Sequence, residues 1–212
     1  MAQVLCGQLW LRRHNLGPVT NLVLMGMGEP FANYEQVCQA LRVLNAEAGL
    51  NIGQRRITVS TCGLAPQIRR FADEGWEINL AISLHAPQDE LRSRLLPVNQ
   101  RYPLAELLAA CDYYTEKTHR RISYEYALLR GVNDGPEQAA ALAQLLAGRL
   151  AHVNLIPVNF VAETGFWPSN DETLNQFAAA LQRQGIETTV REKRGLDIDG
   201  ACGQLRRRQG ES

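Results

Sequence analysis

The sequence predicts an α/β fold whose parallel sheet curls into a partial (β/α) barrel, and three observations lead there. Short apolar runs alternate with helical patterns along nearly the whole chain, the signature of strand–helix units and a parallel sheet. Polar and glycine residues gather where successive runs finish, as on the rim where (β/α) barrels bind ligands. The chain has 212 residues, whereas a full eightfold barrel takes about 250.

The elements follow in order. Residues 2–13 read as a helix, with Val4, Leu5, Leu9 and Trp10 apolar. No capping residue or strand introduces it, so it is either part of an incomplete strand–helix unit or a short terminal helix. Strands are expected at 20–25, 56–60, 78–83, 121–129, 153–158 and 187–191. Several are nearly continuous apolar runs, as in parallel strands covered on both faces. Helices are expected at 34–48, 64–74, 103–118, 136–148 and 171–184. Within the fourth of these, A-A-A-L-A-Q-L-L-A has strong helix propensity, and Pro136 suits a first-turn position. With neither a low-complexity linker nor a helical repeat, residues 1–212 read as a single domain.

Composition narrows the class. Apolar residues make up 45% and charged residues 21%, ordinary for a folded domain. No apolar run approaches the roughly 18 residues of a membrane span, and the N-terminus lacks the pattern of a secretion signal. A cytoplasmic location is therefore expected, with no membrane partner. The 22 basic and 22 acidic residues cancel, which gives no general support for nucleic-acid binding. Residues 191–208 carry six basic side chains against three acidic ones, which a solvated tail explains as well as an RNA contact does. The five cysteines and four histidines are scattered without a metal-clip spacing, so no metal ligand is assigned. Most of the thiols read as small buried apolar groups.

L-V-L-M-G-M-G-E-P-F (22–31) runs a strand into two glycines, a carboxylate and a proline. Gly26 and Gly28 allow a close approach to the backbone, and Glu29 on the rim could accept from an ammonium group. A tight turn with an exposed glutamate accounts for the same spacing. T-V-S-T-C-G and A-I-S-L-H-A end strands in Ser60, Ser83 and His85, which could bond a ligand. Ser60 could equally cap a helix, and His85 could be structural. Asn133 and Asp134 follow a strand a little later, and Asn159 ends N-L-I-P-V-N with an amide suited to reading a heterocycle. Glu125 either points into the barrel, where it needs a partner, or faces solvent. Cys202 stands between Ala201 and Gly203 in G-L-D-I-D-G-A-C-G-Q-L, unshielded; it is a nucleophile if its thiolate is stabilised, or a free surface cysteine.

In order, G-M-G-E-P, I-T-V-S-T, I-S-L-H-A, E-Y-A-L-L-R-G-V-N-D, N-L-I-P-V-N and G-L-D-I-D-G-A-C-G-Q-L closely resemble the radical SAM adenine-C2 methyltransferases of 23S ribosomal RNA, some of which also methylate tRNA. The resemblance runs from about residue 2 to 208 and matches the C-terminal part of a family member. It implies a radical SAM partial barrel without its first strand and N-terminal RNA-binding domain, acting as a monomer. It implies S-adenosylmethionine as cofactor, with Gly28 and Glu29 at its amino group and Ser60, Ser83, Leu84, His85 and Asn159 lining the rest. Cys202 matches the cysteine that carries the methyl group. The family also uses a 4Fe-4S cluster, reduced by an electron donor, on a C-x-x-x-C-x-x-C loop. No such motif occurs here. The expectation is therefore an RNA methyltransferase by family whose present chain is inactive for want of cluster ligands. A non-catalytic remnant that binds S-adenosylmethionine or RNA is the alternative.

Overall fold

The computed structural model describes residues 2–26, 28–158 and 165–191. Six strands form one sheet: β1 (Leu22–Leu24), β2 (Ile57–Thr61), β3 (Asn79–Ser83), β4 (Ile122–Leu128), β5 (Ala151–Pro157) and β6 (Glu187–Val190). They lie side by side in chain order, and every neighbouring pair is parallel. A doubly wound sheet would reverse its strand order part-way. Uninterrupted sequential order is how a barrel wall grows, as the sequence led us to expect.

The described helices are α1 (Ala2–Arg13), α2 (Tyr34–Asn45), α3 (Ala65–Asp73), α4 (Asp89–Leu95), α5 (Leu104–Thr118), α6 (Pro136–Leu146) and α7 (Asp171–Arg183). The crossovers β1–β2 and β2–β3 carry α2 and α3, β3–β4 carries α4 and α5, and the last two carry α6 and α7. Local chemistry starts and aims these helices. Asn170 caps α7 by accepting from the Thr173 amide at 2.7 Å, and Asp171 and Glu172 favour its positive end. Leu174, Phe177, Ala178 and Leu181 then fall on one buried face at helical spacing. Pro136 opens α6, where a missing amide hydrogen costs nothing.

The core lies between these helices and one face of the sheet. Ile57 and Val59 of β2, Leu80 and Ile82 of β3, and Val153 and Leu155 of β5 join it, packed against Ile68, Phe71, Leu107, Leu142 and Phe177. Each such side chain contributes about 1.5–3 kcal/mol by leaving water. Strand alternation turns the remaining side chains away from the helices. That second face carries Thr58, Ser60, Asn79, Ser83, Ser123, Glu125, His152 and Asn154, so these strands are not apolar on both sides.

Two further differences from expectation are physical. Helix α4 was not foreseen, because seven residues span under two turns and show little periodicity. Strand β1 is three residues long instead of six: it pairs with β2 only over Leu22–Leu24 and ends ahead of Gly26, whose φ is +111°.

Candidate cofactor cleft at the carboxyl ends of the strands

Parallel pairing fixes which polar groups meet on the open face. Ser60 of β2 stands beside Ala81 of β3, and Ala81 beside Ser123 of β4. One row nearer the carboxyl edge, Ser83, Glu125, Asn154 and Thr189 lie in register across β3, β4, β5 and β6. Asn154 Nδ2 donates to Glu125 Oε2 at 2.8 Å, and Thr189 Oγ1 sits 3.0 Å from His152 Nε2. Glu125 therefore faces the barrel interior and has a partner. Burial raises its pKa, while the Asn154 bond and the Arg191 charge partly offset this. The hydroxyls of Ser60 and Ser83 make no hydrogen bond to a described residue, and α3 starts without a side-chain cap, so Ser60 is not its cap.

Glu29 is neither exposed nor unengaged. Its Oε1 accepts from the Phe31 amide at 2.9 Å and caps a short 3-10 turn over Pro30–Asn33. Its Oε2 accepts from the Cys62 amide at 2.7 Å, tying the end of β1 to the end of β2. Each oxygen keeps a second lone pair, so an ammonium group can still be received. Gly28 before it has φ at +90° and open space where a side chain would stand. The thiol of Cys62 is pushed up to about 12 by burial and by Glu29, which makes it a poor nucleophile.

The sequence reading missed the group that organises this edge. Arg92 of α4 is fully buried and bonds no carboxylate of a described residue. Its guanidinium donates to the carbonyls of Cys62 (2.7 Å), Ser83 (3.1 Å) and Leu84 (3.1 Å), and to Asn99 Oδ1 (2.7 Å). The ends of β2 and β3 are thereby drawn onto one planar fork. Burial lowers the guanidinium pKa to about 10, still charged at neutral pH. Gly63 is required beside it: with φ at +114°, an added side chain would come within 3.2 Å of Leu107 and 3.3 Å of Arg92. Asp89 locks the arrangement from beyond by accepting from Asn99 Nδ2 at 2.8 Å.

His85 ends the β3 segment in the left-handed region, with φ at +59°. Its Nδ1 accepts from the Ala127 amide at 3.0 Å. Burial, with the nearby Arg92 charge, lowers its pKa to about 4, so the ring is neutral near pH 7. Leu84 is wholly in the core; its amide bonds the Glu125 carbonyl and its own carbonyl receives Arg92. Its side chain therefore does not line the cleft. Asn159 and Cys202 lie outside the described residues. The structure thus brings Gly28, Glu29, Ser60, Ser83 and His85 to one edge of the sheet.

Residues 9–143 match the family model of the radical SAM superfamily, well over half of the chain. The chain belongs to the radical SAM superfamily. Among curated radical SAM relatives, the probable dual-specificity RNA methyltransferase RlmN of Thermoanaerobacter sp. (strain X514) is 53% identical over 192 residues. That match covers 91% of this chain and 56% of the relative. The protein of the same name from Symbiobacterium thermophilum is 56% identical over 191 residues, covering 90% and 52%. The crystal structure of a radical SAM methyltransferase from Sphaerobacter thermophilus superposes with a TM-score of 0.92 at 50% identity. It covers 96% of this chain and 59% of its own. The chain spans a little over half the length of the relatives it matches.

Radical SAM proteins use S-adenosylmethionine and a 4Fe-4S cluster. The described residues do not fit the cluster. Cys38 and Cys111 are buried, Cys62 is half-buried with a raised pKa, and Cys6 is exposed on α1. Among the described residues no three metal-binding side chains come together. S-adenosylmethionine fits better: an open glycine cradle at Gly28, spare lone pairs on Glu29, hydroxyls at Ser60 and Ser83 that bond no described residue, and a neutral imidazole share one edge.

Proposed function

We propose that the chain is the cofactor-binding portion of an RNA methyltransferase that modifies carbon 2 of an adenine in 23S ribosomal RNA, and of tRNA as well. The observation that carries this is the gathering of Gly28, Glu29, Ser60, Ser83 and His85 at the carboxyl edge of a radical SAM sheet. Identities above 50% to proteins named as dual-specificity RNA methyltransferases support the RNA substrate. S-adenosylmethionine supplies the methyl group when bound. Glu29 receives its ammonium group, Ser60 and Ser83 offer hydroxyls to the nucleoside, and Asn159 contributes its amide. Cys202 would be the methyl acceptor, its thiolate serving as the nucleophile toward the methyl group that the cofactor would supply. Later steps need the cluster, which the described residues do not hold, so the isolated chain does not methylate RNA. An electron donor, a monomeric state and a cytoplasmic location belong to the same reading.

Calorimetric titration of the purified chain with S-adenosylmethionine tests it. Wild type is expected to bind, and Glu29→Ala to bind at least about tenfold more weakly, since a charge-assisted hydrogen bond is lost. Absence of binding in wild type contradicts the proposal. A second reading, a non-catalytic remnant that retains the cleft, is favoured by the gathered rim residues with no cluster-holding group of side chains among the described residues. The two separate when the upstream portion of an RlmN relative is fused to residues 1–212. Methylation of an RNA adenine by the fusion supports the enzyme, and cofactor binding without turnover supports the remnant.

A further inference from the structure

Asn133 lies outside the residues assigned to the cofactor above, yet it is wholly buried and every polar atom of its side chain is engaged. Its Nδ2 donates to the His85 carbonyl at 2.8 Å and to the Ala127 carbonyl at 2.7 Å, and its Oδ1 accepts from the Leu129 amide at 2.7 Å. Tyr126 adds a bond from its hydroxyl to the Asn133 carbonyl at 2.8 Å. One side chain thus ties the corner after β3 to the end of β4.

That corner holds His85 in a left-handed conformation, uncommon for a residue other than glycine and kept only where its surroundings over-determine it. The Glu125 carbonyl receives the His85 amide at 3.3 Å, and Asn133 holds the His85 carbonyl. In this conformation the ring reaches Ala127, whose amide donates to Nδ1. An amide N–H can only donate, so Nδ1 must present a lone pair. In the neutral ring the proton is then on Nε2. Protonating Nδ1 would set two N–H groups against each other. Nε2 makes no bond to a described residue.

We propose that Asn133, with the Ala127 amide, locks His85 as a neutral ring whose Nε2–H donates to an acceptor atom of the bound adenosyl cofactor. Asn133 is a positioning residue for this donor. The ligand half of the inference rests on the cofactor reading above; the lock does not. His85 is on this account a hydrogen-bond donor and not a general base. The acceptor is a lone pair of the cofactor, on its purine or on its carboxylate.

Two substitutions take the two ring nitrogens apart. In His85→Asn, the side-chain oxygen can still accept from Ala127, and asparagine tolerates left-handed backbone, but the Nε2–H donor is gone. In His85→Gln, an amide donor stands in for Nε2–H while the Nδ1 acceptor is lost. Calorimetry with S-adenosylhomocysteine is expected to show His85→Asn folded but about tenfold weaker, one neutral hydrogen bond's worth. His85→Gln should bind more tightly than His85→Asn although it melts at a lower temperature. Full affinity in a folded His85→Asn would make His85 merely structural and overturn the donor role. With 5′-methylthioadenosine, which lacks the carboxylate, a persisting loss in His85→Asn places the acceptor on the purine, and a vanished loss places it on the carboxylate.

Nitrogen-15 NMR of the ligand-free chain reads the lock directly. A lone-pair-type Nδ1 and a protonated Nε2, unchanged from pH 8 to about 5.5, are expected from a ring whose pKa lies well below the ordinary 6.5. In Asn133→Asp, which loses both N–H donors, the ring should show a mixture of tautomers or titrate nearer the ordinary value. A proton on Nδ1 in wild type overturns the lock. If wild type shows the lock but fails to bind S-adenosylhomocysteine, the cofactor reading falls, and the ligand half with it.

Discussion

The middle of the sheet and its β1 edge are built from similarly apolar sequence, yet they hold their side chains very differently. On β3, Leu80, Ala81 and Ile82 are completely buried, and Arg92, Asn99 and Asn133 add buried polar ties behind the strand ends. At the β1 edge, Val23 is 59% exposed, and on α1 Leu9 and Trp10 are 58% and 55% exposed. Helix α1 buries Gln8, whose Oε1 accepts from the Val19 amide at 2.9 Å, and it borders a cleft of about 680 Å³ that reaches Gly28 and Glu29. The difference teaches where rigidity is concentrated. Ser60, Ser83 and His85 are set by buried bonds across β2, β3 and β4, whereas Gly28 depends on a three-residue strand and on the Glu29 link to Cys62.

The largest effect should come from breaking the tie that makes the middle rigid. Arg92→Leu leaves three carbonyls and the Asn99 amide without their buried donor, and should destabilise the chain by about 3–5 kcal/mol in urea unfolding. Next, Ile82→Ala should cost about 3 kcal/mol, as cavity-forming core substitutions do. Leu9→Ala on the exposed face of α1 should stay within about 0.5 kcal/mol. Equal losses at the two positions would erase the contrast between the regions.

Acid sharpens the same contrast through His85. Its native pKa of about 4 lies below the ordinary 6.5. As pH falls through that window, the unfolded chain takes up a proton that the native ring refuses, so stability falls, by up to ~3 kcal/mol. Glu125, with its raised pKa, acts in the opposite sense, because the native carboxyl accepts its proton first. The difference between wild type and His85→Asn isolates the histidine. Unfolding midpoints measured from pH 7 to 4 should fall more steeply in wild type. Parallel curves would mean that His85 titrates normally. A small effect, of the same order as that of Leu9→Ala, is expected at Arg42→Ala, which removes the surface Arg42–Glu74 ion pair and should change stability by under about 1 kcal/mol.

Much of the fold was legible because strand–helix alternation is a property of consecutive residues. Runs such as I-N-L-A-I-S and the helical spacing of Leu174, Phe177, Ala178 and Leu181 announce themselves. The rim residues were visible as polar groups at strand ends, but their partners were not. Nothing local says that Glu29 bonds the Cys62 amide 33 residues away, or that Arg92 is buried. A seven-residue helix hides its own period, and an arginine in D-E-L-R-S-R reads as a solvated charge. One signal was available and unused: Asn154 between Val153 and Leu155 marks the open face of β5 by alternation alone. Leu84 shows the converse, a motif residue whose side chain belongs to the core.

The most direct test of the central claim maps where the cofactor binds. Amide chemical shifts of the nitrogen-15-labelled chain are followed while S-adenosylmethionine is added. The account predicts concentration-dependent shifts at Gly28, Glu29, Ser60, Ser83 and His85, with His119, Arg120 and Arg121 at the opposite, amino-terminal edge unmoved. Shifts centred on His119–Arg121, or no saturable shift at the carboxyl edge, would contradict it.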